Sequence, residues 1–450
     1  MNEILSMKKV IASVGLVALG ASGLQAVSDP GTTSDTSKPW SVSATLRGFY
    51  DDNVNSIAND YVLPAGTHRG SSGFEVSPSI IASWPLEQTI ITLGYVYSFK
   101  YYENTPWGNA ENFDQSHDFN ASLTHYFSER YQINVKDSFV IGQEPDLLRA
   151  GNTYNTFQRI PGNNLRNYGT INFEAQITPK LGIEVGYANT LWSYANDTPT
   201  FVNGAYNASL TGLADSLDNA IHLDARWQLQ PQTIGVLGYE FRAIDYTGNQ
   251  PIAGTIDASG NALVPGTMVM SDYRNANSHY GYLGVDHNFT PDLTGSVRGG
   301  VRATTYPNDS SEDSVSPYGL LSLRYTYRPE SYLQAGFSYD YSSAGLIGAN
   351  DRIGFVTLNG QSASVFATLQ HRLTPKLYGN LVAQFQNTTY YGGTDNGDSE
   401  QYYLVGLSLE YRFNHYFSAQ VGYDYDNVNS DIAGRHYDRN RVYLGVTATY

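Results

Sequence analysis

The sequence predicts an all-β chain: a transmembrane, antiparallel, up-and-down β-barrel of about 18 strands, with short periplasmic turns and long outer loops. Three observations carry this. Apolar and polar residues alternate in recurring runs, and a period of two marks a strand with one apolar and one polar face. The runs are joined alternately by short turns and by long segments rich in Gly, Asn, Asp, Ser and Thr, the asymmetry of bacterial membrane barrels. After the first thirty residues no apolar run is long enough to cross a bilayer as a helix.

The elements follow in order. Lys8 and Lys9 precede an apolar run from Val10 to Leu19 and the small residues Ser22, Gly23 and Ala26, the layout of a secretion signal over residues 1–26. Residues 27–39 read as a polar leader, and residues 40–450 as the barrel. The first strand is Trp40 to Asp51. Eight short turns come next: Trp84-Pro85, Phe127-Ser128-Glu129, Thr178-Pro179-Lys180, Gln230-Pro231, Thr290-Pro291-Asp292, Arg328-Pro329, Thr374-Pro375-Lys376 and Asn414-His415. Proline suits a tight turn because it presets the backbone and needs no acceptor. Each turn joins two strands, and Arg439 to Tyr450 closes the set at 18. The even number puts both termini on the short-turn side. The turn at Pro375 shows the pattern: Leu377, Leu381, Ala383 and Phe385 share one parity, and Tyr378, Asn380, Gln384 and Gln386 the other. Asp137 falls on the apolar parity, so a bulge or register shift is expected there.

The apolar parity reads as a lipid belt. Its middle holds Ile183, Val185, Leu237, Leu321, Leu323, Val365, Leu369, Val405, Leu407 and Val446. Trp84, Trp227, Tyr327, Phe413 and Phe417 lie near the short turns, and Tyr97, Tyr187, Tyr239, Tyr341 and Tyr425 toward the long loops. Two aromatic girdles around an apolar band suit lipid headgroup boundaries. A soluble sandwich or solenoid gives no reason for that placement. Cysteine is absent, which excludes disulfides and thiolate metal sites. A formal charge of -16 argues against nucleic acid as a partner.

In the last strand Val442, Leu444, Val446, Ala448 and Tyr450 alternate with Tyr443, Gly445, Thr447 and Thr449. This resembles the terminal strand that barrel-assembly machinery reads. The opening Gly48-Phe49-Tyr50-Asp51-Asp52-Asn53-Val54-Asn55 and the terminal Arg441-Val442-Tyr443-Leu444-Gly445-Val446 are similar to the putative β-barrel porin family of outer-membrane proteins. The resemblance implies a barrel in the outer membrane of a diderm bacterium, in contact with its lipid. It implies no particular substrate and no cofactor.

The polar parity places Arg226, Arg242, Arg298, Arg302, Arg324, Arg372 and Arg412 inside, with Arg47, Lys100 and Lys136. It also places Glu174, Glu184, Glu240, Asp340 and Glu410 inside, with Glu75, Asp224, Asp286, Asp424 and Asp426. Charges of both signs are tolerable there only if the lumen is wet, and barrels of about 16 to 18 strands enclose water. Two readings stand side by side: a basic wall that filters ions, or paired charges that line a wet wall. The segment from Gly142 to Arg166 is the third long loop. Its Glu144-Pro145-Asp146-Leu147-Leu148-Arg149-Ala150-Gly151 favours one or two helical turns. By resemblance to trimeric porins it folds inward as a constriction bearing Glu144, Asp146, Arg149 and Arg159, and a homo-oligomer is consistent with it. The alternative is a loop over the mouth or against a neighbouring subunit. His222 beside Asp224 and Arg226 has no serine partner by spacing, so no catalytic site is expected. Asp395 to Glu400 lacks calcium-loop spacing and reads as a hairpin tip, so no metal site is expected. The function expected is a porin-like channel for passive diffusion of small hydrophilic solutes. A dedicated saccharide transporter, with Tyr378, Tyr402, Tyr443 and Phe366 as stacking rings, and a non-conducting structural barrel are the alternatives.

Overall fold

The computed structural model describes residues 38–104, 111–143, 164–194, 200–202, 205–254, 268–308, 313–343 and 356–450. One sheet of 18 antiparallel strands closes on itself. The strands are β1 Trp40–Asp51, β2 Ser71–Pro85, β3 Thr89–Tyr102, β4 Phe113–Tyr126, β5 Tyr131–Gly142, β6 Asn164–Gln176, β7 Leu181–Tyr194, β8 Ser216–Gln230, β9 Thr233–Tyr246 and β10 Ala276–Thr290. They continue as β11 Leu293–Thr305, β12 Ser314–Arg328, β13 Ser331–Ser343, β14 Asn359–Arg372, β15 Leu377–Tyr391, β16 Ser399–Arg412, β17 Phe417–Ser430 and β18 Tyr437–Thr449. Neighbours in sequence are neighbours in space, and β1 pairs with β18 from Ser43↔Thr449 to Asp51↔Arg441. Among the described residues no helix is long and apolar enough to cross a membrane.

All eight expected short turns join strands, and both ends of the sheet lie beside them. Their chemistry is local and repeated. Thr178 Oγ1 accepts from the backbone N–H of Lys180 at 3.3 Å and of Leu181 at 3.0 Å. Thr290 and Thr374 make the same pair of bonds, and Asn414 makes its counterpart to Tyr416 and Phe417. A side chain that satisfies two turn donors fixes the register of the next strand.

The outward parity behaves as expected. Leu237, Leu283 and Leu444 are more than 60% exposed, which in water would forfeit most of the roughly 1.5–3 kcal/mol that burying each offers. Trp84, Trp227, Phe413 and Phe417 are exposed toward the short turns, and Tyr187 and Tyr239 toward the long loops. Two expectations need correction. Asp137 forms no bulge: it pairs in continuous register with Ala121 and Gly169. It stands exposed on the outer face and accepts from Asn167 Nδ2 at 2.9 Å, so its charge is met by a neighbour and not by a change of register. Tyr341 is not on the outer girdle. It is 4% exposed and packs with Ile244 and Tyr246, with the Arg302 guanidinium 4.8 Å from its ring, while its backbone keeps its pairing with Gln361 on β14. The last strand also begins two residues before the expected Arg439, at Tyr437.

The long loops supply an apolar cluster of their own. A short helix, Leu210–Ala214, is capped by Ser209 Oγ, which accepts from Gly212 N at 2.8 Å. Leu213 packs with Ile252, Ala253 and Val356, and Ala276, Tyr306 and Leu358 form a second group. Arg274 donates to Leu213 O at 3.0 Å and ties this cap together. On the other side Asn53 bridges Ile57 and Asp438 through its side chain, and Val54 is fully buried. The signal and leader, residues 1–37, lie outside the described residues.

Candidate functional site

The candidate site is the inner wall of the barrel, built by register. In one row the inward residues are Gln132, Glu174, Glu184, Asp224, Gly238, Tyr282, Gly300 and Tyr318, each directly opposite the next across β5 to β12. The glycines explain how large side chains fit. A Cβ on Gly238 would come within 2.1 Å of the Tyr282 ring, and one on Gly300 within 2.8 Å of Tyr282 Cβ. The same device recurs where Gly186 faces His222, Gly336 faces Phe366 and Gly422 faces Tyr443. Each side chain lies along the wall over the glycine opposite, a cross-strand pairing of the kind that stabilises sheets.

The expected pore-lining charges fall into three groups. In the first, Arg226 donates to Glu184 at 3.3 Å and to Asp286 at 3.0 Å, and Arg298 donates to Asp286 at 2.7 Å. His222 Nε2 is 3.5 Å from Glu184, and Tyr282 donates to Asp224 Oδ1 at 2.6 Å. Higher on the wall Arg242 donates to Asp218 at 2.9 Å, Arg302 stands 3.6 Å from Asp340, and Glu240 sits opposite His222. Glu174 accepts from the Gln132 side chain and feels the Arg226 charge, and among the described residues it makes no ion pair. In the second group Arg47 reaches Glu75 at 3.4 Å, Arg439 donates to Asp51 at 3.0 Å, and Arg441 to Asp426 at 3.0 Å. The third lies near the short turns. Arg412 donates to Glu410 at 3.2 Å, Arg372 to Glu330 at 3.3 Å, and Arg324 lies 4.7 Å from the Tyr332 ring.

The arginines of the first group therefore do not make an unbroken basic wall. Each is interleaved with carboxylates, the arrangement that makes a desolvated charge tolerable. In the cap, burial works against the charge of Arg435, and the Glu400 carboxylate, 2.7 Å away, more than offsets it, so its pKa is raised. Asp51, Asp218, Glu330 and Arg439 were not singled out in the sequence. Strand parity puts Asp51, Asp218 and Arg439 inside, but their partners were hidden: Arg439 meets Asp51 across almost the whole length of the chain. Glu330 was hidden by its turn, where it adopts a positive φ of 59° and aims its carboxylate at Arg372 and Tyr378.

The rings considered for saccharide stacking are engaged by the protein. Tyr378 lies under Arg412 at 3.9 Å, Tyr402 is fully buried with Leu404, Val428 and Tyr437, and Phe366 and Tyr443 cover glycines. His125, His287 and His371 sit on the outer face and bond the hydroxyls of Thr89, Thr233 and Tyr327 at 2.8, 2.9 and 2.7 Å. Among the described residues no group of three or more His, Asp or Glu side chains is arranged to hold a metal ion. Asp395 accepts from Thr357 Oγ1 at 2.9 Å, within a tip where Gly392, Gly393 and Gly397 have positive φ. The constriction residues Glu144, Asp146, Arg149 and Arg159 lie outside the described residues. A cavity of about 680 Å³ opens at the short-turn end between the turns after β2, β4, β6 and β8, with Glu174 and Arg226 in its wall.

The family described as Putative beta-barrel porin 2 matches residues 346–450, so the resemblance read from the terminal strand holds for that part of the chain. No curated protein matches. Among solved structures the chain is similar to the outer membrane protein opdK from Pseudomonas aeruginosa, with 12% identity, 91% of this chain and 99% of that one covered, and a TM-score of 0.39. It is similar to Acinetobacter baumannii OccAB4, with 12% identity, 93% and 100% covered, and a TM-score of 0.42. A BenF-like porin from Pseudomonas fluorescens Pf-5 shows 10% identity, 91% and 99% covered, and a TM-score of 0.40. The chain is a closed 18-stranded antiparallel β-barrel whose residues 346–450 match a β-barrel porin family.

Proposed function

We propose that the barrel is an aqueous channel through which small hydrophilic solutes diffuse passively. The observation that carries it is the contrast between the two faces of every strand. Leu237, Leu283 and Leu444 stand outward at more than half exposure, while charges of both signs line the inside from the Arg412 level to the Asp51 level. Paired charges tolerate burial, but Arg47, Arg412 and Glu410, with side chains 22–31% exposed, face the lumen and are favourable there only against water. The saccharide-transporter reading expects free ring faces, and three of the four inward rings considered for it are engaged: Tyr378 by Arg412, Tyr443 by Arg47, and Tyr402 in a buried cluster. On the same reading residues 1–26 direct export, and the terminal strand addresses the chain to the assembly machinery.

Purified protein in planar bilayers tests this. Steps of ohmic conductance are expected. Small steps blocked by one saccharide would favour the dedicated transporter, and an absence of steps from correctly folded barrels would favour a structural role.

A further inference from the structure

We propose that the short-turn end of the lumen holds a binding site for small organic cations, ammonium or guanidinium in character, anchored by Glu174; the site deepens the channel reading by naming a solute class. Glu174, Glu184 and Asp224 stand directly opposite one another on three adjacent strands. Like charges in direct cross-strand register are unfavourable, and strand formation requires none of them. Positive charge on this stretch of wall falls short of what the acids need. Arg226 is divided between Glu184 and Asp286, and Arg298 is engaged by Asp286. His222 contacts only Glu184 among the three. Asp224 is completely buried, receives a single hydroxyl on Oδ1, and has no hydrogen-bond partner on Oδ2. Glu174 accepts from the amide of Gln132 and feels the charge of Arg226, which is already shared between Glu184 and Asp286.

The acids lie beside the space a ligand would use. Glu174 and Arg226 form part of the wall of the 680 Å³ cavity, together with Gln132, Gln176 and Gln228, while the exposed Glu87, Glu129, Arg130 and Lys180 balance one another around it. That volume is in the range of sites for small organic molecules. Glu174 supplies the counter-charge, and the three glutamines supply amide oxygens for a cation's remaining N–H groups. Asp224 and Glu184 behind it add an attractive field across a poorly solvated wall. The ligand is organic and not a bare metal ion, because among the described residues no three acidic or histidine side chains converge with metal-ligand geometry. A guanidinium or ammonium group needs one carboxylate and dispersed acceptors, which is what this wall presents.

The test uses the full-length barrel in detergent, titrated with argininamide by calorimetry, and the same protein in bilayers. Argininamide is expected to bind and to reduce the current in a concentration-dependent way. Glu174→Gln, nearly isosteric, is expected to weaken binding and block about tenfold. Asp137→Asn, the same change of charge on the outer face, is expected to leave both unchanged. Heat-shifted gel mobility establishes that each variant is folded. Equal affinity in Glu174→Gln and the unmodified protein, or magnesium competing for the site as well as argininamide, overturns the proposal. Calorimetry decides the site whether or not the barrel conducts, so a failure of the channel reading is seen separately, in the bilayer alone.

Discussion

Single residues set how the inner wall is packed. Gly238 is the clearest case, because Tyr282 lies over it and reaches Asp224. Gly238→Val would drive a branched side chain into the ring and break the Tyr282–Asp224 bond. A destabilisation of about 1–3 kcal/mol is expected from overpacking of this kind, measured as a lower midpoint in denaturant or in heat-shifted gel mobility. Gly281→Ala is the control, since a Cβ there meets nothing within 4 Å, and its midpoint should stay within about 0.5 kcal/mol of the parent. An equal loss in both variants would mean that the ring above Gly238 is not what sets the cost. The sequence does contain the signal, in Leu237-Gly238-Tyr239 and its relatives Val185-Gly186-Tyr187, Ala335-Gly336-Phe337 and Val421-Gly422-Tyr423. Its meaning depends on the residue opposite, which a single strand does not name.

Strands and turns were legible because they are written locally. Period-two alternation and a turn containing Pro, Ser or Asn are each contained in a dozen residues, and all eight short turns form where those signals stand. Pairings were not legible, because register couples residues far apart in the chain. The sequence marks Asp224 and Arg298 as inward but gives no sign that Asp286 binds Arg298 and that Asp224 is left with Tyr282. The two missed positions, Asp137 and Tyr341, share that cause: each is settled by a partner on another strand, Asn167 for the aspartate and Arg302 for the tyrosine. The third long loop remains a proposal at this scale. Glu144, Asp146, Arg149 and Arg159 are proposed to narrow the lumen, on the strength of a helix-forming, leucine-bearing segment within a long connection. Deleting Asp146 to Gly151 is expected to raise single-channel conductance and relax ion selectivity. A folded deletion variant with unchanged conductance and selectivity would assign the narrowing elsewhere.

For the whole molecule, the asymmetry between short turns and long loops fixes a direction across the membrane. Turns such as Thr374-Pro375-Lys376 are expected to face the periplasm, and tips such as Thr394 to Gly397 the cell exterior. The chain has no cysteine, so single cysteines report cleanly. Asn396→Cys should react with an impermeant thiol reagent on intact cells, and Lys376→Cys only after the outer membrane is permeabilised; the reverse pattern would turn the barrel over. The glycine-backed rings carry a consequence at this scale too. Because Tyr282, Phe366 and Tyr443 lie flat over the strand beside them, the staves of this cask are bonded broadside and owe little of their strength to whatever fills the cask. Throughput and durability are thereby uncoupled: mutation is free to recut the stopper without loosening the hoops.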